Sequence, residues 1–199
     1  MHSQAYLYAT RLAATVTMHA STEIRGLTGR GFTICEPEDA DCSFEDVRAA
    51  FTTGTSLLVS RVGLEGSCYP DTAFGLGKVA PSTAVNAMAR HWHDYTHHAH
   101  TLPFNLFGEL QAARMQMKWA ANHLHAKGYT CAEILPVLRI IWCDVAEQAI
   151  YFEDSGLFVP DQAEFVATRF AESGRAEQEA LALMGTVLFQ RIQSGAVDA

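Results

Sequence analysis

Apolar residues recur at helical spacing through most of the chain, and polar capping residues mark where several of these stretches begin. Ser43 with Asp46, and Thr130 with Glu133, have the spacing of capping boxes that open helices. Proline is tolerated in the first turn of a helix, so Thr101 is predicted to cap a helix that contains Pro103. The predicted helices are 4–20, 43–62, 83–100, 102–126, 131–152, 161–173 and 175–194.

Two stretches interrupt this helical pattern. Residues 26–42 are rich in glycine and acidic residues, and residues 63–82 contain four glycines and two prolines, so both are predicted to be irregular. Strand-like alternation is weak everywhere. The sequence therefore predicts one all-α domain over 1–199, a bundle of six or seven helices with a helical hairpin near its middle.

Composition narrows the classes of partner. Hydrophobic residues make up 49% of the chain and charged residues 18%, which is typical of a globular domain with a large core. The net charge is −8 and the 14 Lys and Arg are scattered, so no nucleic-acid partner is expected. No run reaches the roughly 18 apolar residues of a membrane span. We expect a cytoplasmic protein whose membrane contact is at most peripheral. A homodimer is one possible oligomeric state.

Histidines are concentrated in one predicted helix, where five of the nine fall within residues 91–100. His93 and His97 are four residues apart and project from one face of that helix. Asp94 lies about 100° further round and could reach the same ion or orient a ligand. Glu109 lies about two turns into the returning helix, where a hairpin brings it opposite His97.

A set of two imidazoles and two carboxylates suits zinc, ferrous iron or manganese. Four protein ligands would close a structural zinc site, whereas an open position would make the site catalytic. A pair of histidines at this spacing also occurs on solvated surfaces and in satisfied cores. Spacing alone therefore leaves both interpretations open.

Three neighbouring residues are candidates for chemistry. Arg90 could bind an acidic group of a substrate, or pair with Glu109 or another acid. His91 and His98 could act as general bases because an imidazole titrates near neutral pH. Both lie on other faces of the helix, so a structural role is the alternative for each.

The candidate ligands belong to a longer motif. His93-Asp94-x-x-His97 is followed after eleven residues by Glu109, and Arg90 stands three residues before the first histidine. Leu102, Pro103, Asn105 and Gly108 lead into the second helix. In these positions, residues 86–119 resemble the coenzyme Q biosynthesis protein 4 family.

This resemblance implies an all-helical fold with a hydrophobic cavity beside the metal helix. It also implies that His93, Asp94, His97 and Glu109 hold one divalent metal ion, with zinc foremost and iron, manganese or magnesium as alternatives. The family's ubiquinone members are linked to removal and hydroxylation at the carboxyl position of a prenylated benzoate.

The resemblance therefore implies a metal-dependent lyase or oxidative decarboxylase that acts on a hydrophobic aromatic, quinoid or polyketide-like substrate. The chain departs from the family's motif at His91 and Trp92. It could therefore be a divergent member that performs a cyclisation, elimination or rearrangement in secondary metabolism. A lipid- or product-binding scaffold with a structural metal is the alternative class. Paired Glu-x-x-His elements, a P-loop and a dinucleotide glycine fingerprint are absent from the sequence.

Overall fold

The computed structural model describes residues 3–40, 43–74, 78–172 and 174–193. Its helices are α1 (Gln4–Thr28), α2 (Phe44–Thr53), α3 (Ser82–His100), α4 (Leu106–Ala126), α5 (Cys131–Trp142), α6 (Gln148–Ser155), α7 (Gln162–Glu172) and α8 (Gly174–Gln193). A π-helical segment, Cys143–Glu147, joins α5 and α6 into one continuous helix. The described chain thus has seven helices, and the prediction of an all-α bundle is confirmed.

Two small sheets are present, and three of their four strands fall in the stretches that were predicted to be irregular. Strands β1 (Phe32–Cys35) and β2 (Leu57–Ser60) pair in parallel, and β3 (Thr72–Phe74) pairs antiparallel with β4 (Lys78–Ala80). A 3₁₀ turn, Pro37–Asp39, follows β1. The prediction of irregular structure was wrong for β1, β3 and β4, because strands of three or four residues are too short to show alternation. Strand β2 falls instead at the end of the helix that was predicted over 43–62.

Helix ends follow local capping chemistry. Both predicted capping boxes, at Ser43 and at Thr130, are present. The helix predicted over 43–62 instead ends at Thr53, because Gly54 adopts a left-handed conformation (φ 73°) that stops it. This early end allows β2 to form beside β1.

The core is built around α5, which packs against α1, α4 and α8. Its fully buried residues are Ile134, Val137, Leu138, Ile140, Ile141 and Trp142. Burying each such side chain contributes about 1.5–3 kcal/mol, so this helix is the main hydrophobic anchor of the bundle. Helix α3 packs against α1, α2 and α4 at the edge of this core. The hairpin of α3 and α4 is thereby held against a rigid base.

None of the described helices is both long and apolar enough to cross a bilayer. Cys68, Cys131 and Cys143 are free thiols, and Cys68 and Cys143 are buried. Cys42 lies outside the described residues.

Candidate metal centre

The turn between α3 and α4 differs from the predicted one. Thr101 does not cap α4 but ends α3 in a left-handed conformation (φ 54°), and its backbone N–H donates to the carbonyls of His97 and His98. Asn105 caps α4 instead, because its side chain accepts a hydrogen bond of 3.0 Å from the N–H of Gly108. The assignment of Thr101 as the cap was wrong because the sequence does not show that its backbone is left-handed.

Gly108 lets the turn lie directly on the first turn of α4. A Cβ atom at this position would stand 1.8 Å from the carbonyl oxygen of Pro103. Because that neighbour is backbone, a side chain here would displace the turn. Gly108 therefore sets the position of Glu109, the next residue.

The side chains of His93, His97 and Glu109 converge across the hairpin. Nε2 of His93 lies 3.1 Å from Oε2 of Glu109, and Nε2 of His97 lies 3.5 Å from Oε1 of the same carboxylate. One potential ligand atom from each of the three residues lies within 4.8 Å of the others. The structure thus brings together three of the four predicted metal ligands.

The ring of His97 is held in the orientation that a metal ligand needs. Its Nδ1 is 3.0 Å from the carbonyl oxygen of Leu102, which can only accept, so Nδ1 carries the hydrogen. The buried Nε2 makes no well-formed hydrogen bond to any described residue. Phe104 packs edge-on against the ring, with centroids 4.6 Å apart. An imidazole whose other nitrogen donates to a carbonyl is the usual arrangement of a metal-binding histidine, so the donor set fits a metal.

His93 and Glu109 each stabilise the charged form of the other. Burial opposes protonation of His93, but the charge and hydrogen bond of Glu109 outweigh it and raise the pKa of His93 to about 9. Burial likewise opposes ionisation of Glu109, yet the histidines hold the pKa of that carboxyl below its usual range. In the absence of a metal, a proton on His93 therefore balances Glu109. A divalent cation would replace this proton on binding.

Asp94 lies beside the cluster but outside the group of three whose ligand atoms converge. Burial raises the pKa of Asp94 to about 6, against the lowering charges of His93 and His97. Asp94 is therefore an electrostatic neighbour of the three residues, and its role as a fourth ligand stays a prediction.

Arg90 is anchored to the small parallel sheet, where its Nη1 donates to the carbonyl oxygen of Ser60 at 3.0 Å. Burial lowers the pKa of Arg90, while the charges of Asp94 and Asp144 raise it. Two carboxylates thus act on the charge of Arg90, and its predicted contact with a substrate acid stays a prediction.

His91 and His98 point toward other elements. His91 is fully buried, with Nδ1 2.9 Å from the Ser21 hydroxyl on α1, and burial lowers its pKa to about 4. His98 stacks on Phe51 of α2 with ring centroids 5.0 Å apart. Burial, followed by the charge of Arg48, lowers the pKa of His98. Neither ring belongs to the converging group, and these contacts favour the structural alternative for both.

Sequence reasoning missed two polar residues near the hairpin. Asp144, in the π-helical segment, accepts hydrogen bonds from the Tyr69 hydroxyl at 2.7 Å and from Nε2 of Gln162 at 2.6 Å. Gln116 is 3% exposed and lies on α4 seven residues after Glu109. The spacing of Gln116 from Glu109 was the available signal, whereas nothing in the sequence marks the π-helical segment.

No known protein family, curated protein or solved structure matches this chain. The interpretation of the site therefore depends on the residues and their geometry.

An apolar groove of about 190 Å³ runs along α3, on a face of the helix other than that of the cluster. Its lining includes Ile24, Trp92, Thr96 and Trp119, and none of the three converging residues lines it. The groove lies beside α3 and includes His100 in its lining, but it does not open onto His93 or His97. The hydrophobic cavity that the resemblance implies beside the metal helix stays a prediction.

Proposed function

We propose that this chain binds one divalent metal ion through His93, His97 and Glu109, and that it is a metal-dependent enzyme. The observation that carries the proposal is the convergence of two imidazole Nε2 atoms on one carboxylate, with the His97 ring fixed by the Leu102 carbonyl. Asp94 is included in the proposal as the fourth ligand because it adjoins His93 on the same helix.

The donor set favours some metals over others. Two nitrogens and one or two carboxylates suit zinc, iron or manganese. Magnesium prefers a shell of oxygen atoms, so it fits this set less well. Zinc is the metal that we propose first.

A catalytic role is supported by the exposure of the cluster. The His93 and Glu109 side chains remain 22% and 21% exposed, whereas His97 is buried. One side of the cluster can thus be approached from solvent. A bound divalent ion would supply Lewis-acid polarisation of a carboxylate, carbonyl or phenolate oxygen.

The chain's own residues would then have distinct roles. Glu109 and the two histidines hold the ion, the Leu102 carbonyl orients His97, and Arg90 adds a fixed positive charge one turn before His93. By resemblance to the coenzyme Q biosynthesis protein 4 family, we propose a hydrophobic aromatic, quinoid or polyketide-like substrate in the cytoplasm and a lyase or oxidative decarboxylase reaction. Cyclisation, elimination or rearrangement is the variant for a divergent member.

Cobalt substitution distinguishes a metal-dependent enzyme from a scaffold protein with a structural metal. If a coordination position is open, adding a benzoate or a phenolate should change the visible d–d bands of the cobalt-loaded protein. A saturated structural site would leave the bands unchanged and would contradict the catalytic proposal.

Turnover would be sought with hydroxybenzoates that carry an apolar chain, by measuring carbon dioxide released with and without added zinc. The His97→Ala variant is the control for release that does not depend on the site.

A further inference from the structure

Nδ1 of His97 has a hydrogen-bond acceptor, whereas Nδ1 of His93 has no well-formed one among the described residues. Nε2 of His93 faces Glu109, so its Nδ1 must carry a hydrogen for Nε2 to be free as a ligand. This Nδ1 is buried and makes no well-formed hydrogen bond to any described residue. A buried donor left without an acceptor costs about 1–3 kcal/mol, so an acceptor is expected nearby.

The turn cannot supply that acceptor. His97 lies in the last turn of α3, where the chain folds back and brings the Leu102 carbonyl to its ring. His93 lies one turn earlier, among carbonyls that are engaged in the helix. A side chain from a facing helix can instead accept from its Nδ1.

Gln116 on α4 has the position and the chemistry for this role. It is seven residues after Glu109, two helical turns away, and so lies on the same face of α4. It is 3% exposed, and its Oε1 is also buried without a well-formed hydrogen bond to any described residue. Helices α3 and α4 pack against each other, and Gln116 is among the side chains that raise the pKa of His93 by hydrogen bonding.

We propose that Gln116 is the positioning residue of His93: its Oε1 accepts the Nδ1–H and keeps Nε2 directed at the metal. One buried donor and one buried acceptor thereby satisfy each other. The two histidines are then oriented by different means, His97 by a backbone carbonyl and His93 by a side-chain carbonyl. This inference rests on the proposed metal site, and it assigns to it a residue that is not itself a ligand.

Three variants test the role of Gln116. Gln116→Leu keeps the approximate volume but removes the acceptor, whereas Gln116→Glu restores an acceptor at the same position. Gln111→Leu is the matched control, because Gln111 lies on α4 about 160° round the helix from Glu109. Zinc affinity is measured by competition with a chromogenic chelator, and the unfolding of each metal-free variant is measured separately.

Loss of a hydrogen bond that orients a ligand typically weakens metal binding by about 10–100-fold. We expect that loss in Gln116→Leu, recovery in Gln116→Glu, and wild-type affinity in Gln111→Leu. Equal zinc affinity in Gln116→Leu and wild type would overturn the inference while leaving the metal site intact. So would a Gln116→Glu variant that binds as weakly as Gln116→Leu, because a merely structural amide would not be rescued by an acceptor.

Nitrogen-15 spectra of the histidine rings give a readout that does not depend on zinc. In metal-free wild type and Gln116→Glu, the Nδ1–H of His93 should be protected from exchange with solvent, and in Gln116→Leu this protection should disappear. If wild type bound no zinc but showed the protected Nδ1–H, the proposed function would fail and the role of Gln116 in orienting the ring would stand. An unprotected Nδ1–H in wild type would overturn the inference.

Discussion

Replacing Glu109 by glutamine should change the protonation of His93 in the metal-free protein. Burial opposes the charged ring, and the charge and hydrogen bond of Glu109 raise its pKa from 6.5 to about 9. A neutral amide at 109 leaves burial as the largest influence, so the pKa of His93 should fall to 6.5 or lower. The difference corresponds to about 3 kcal/mol between the charged and neutral ring, at about 1.4 kcal/mol per tenfold change in proton affinity.

The assay is a proton NMR titration of the His93 ring after chelator treatment, repeated on Glu179→Gln as a control. Glu179 is similarly exposed, at 26%, but it pairs with Arg114 away from the cluster, so its loss should leave His93 unchanged.

The free energy of unfolding should depend on the same contact between His93 and Glu109. The pKa of His93 is raised in the folded state, so the pair stabilises the fold fully below pH 6.5 and loses this contribution as pH rises through about 9. Metal-free wild type should lose free energy of unfolding over this window, and Glu109→Gln should not. The reasoning is refuted if His93 titrates near 9 in Glu109→Gln as well, since its charge would then have another origin.

Two further substitutions test the packing around the hairpin. Gly108→Ala should lower the free energy of unfolding by about 1–3 kcal/mol and weaken zinc binding, because the added Cβ meets the Pro103 carbonyl at 1.8 Å. Urea unfolding checks this against Gly185→Ala, whose Cβ meets nothing within 4 Å. His91→Leu should reduce the loss of stability at acidic pH. Because burial lowers the pKa of His91 to about 4, the wild type should lose about 3 kcal/mol of its free energy of unfolding as pH falls from 6.5 to 4. Unfolding of wild type and variant at pH 7.5 and 4.5 gives the difference, and an identical fall in both would contradict it.

The sequence predicted the convergence of His93, His97 and Glu109 because regular geometry decides it. Four residues make one helical turn, and a short connection forces the second helix to return along the first. The fold class followed from the same helical periodicity. These features depend on local spacing, which the sequence shows directly.

The features that the sequence did not predict depend on backbone conformation or on contacts between distant segments. The left-handed backbone of Thr101 and the cap at Asn105 moved the start of α4 by several residues from its predicted place. The Leu102 carbonyl that orients His97 belongs to the backbone and has no signature in the side chains. The proposed contact of Gln116 with His93 depends on how two helices pack, and the sequence spacing indicates only that Gln116 shares a helix face with Glu109.

Metal binding by the hairpin is best tested by the metal content of untagged wild type and His97→Ala, measured by elemental analysis. His100→Ala is the matched control, because His100 is an exposed histidine of the same helix and is not one of the converging residues. Circular dichroism would confirm that His97→Ala is folded, and His93→Ala provides a second, less buried replacement. We expect about one equivalent of zinc, iron or manganese in wild type and His100→Ala, and little in His97→Ala and His93→Ala. Wild type that is free of metal and takes up none of these ions, or folded His97→Ala with the wild-type content, would contradict the proposed site.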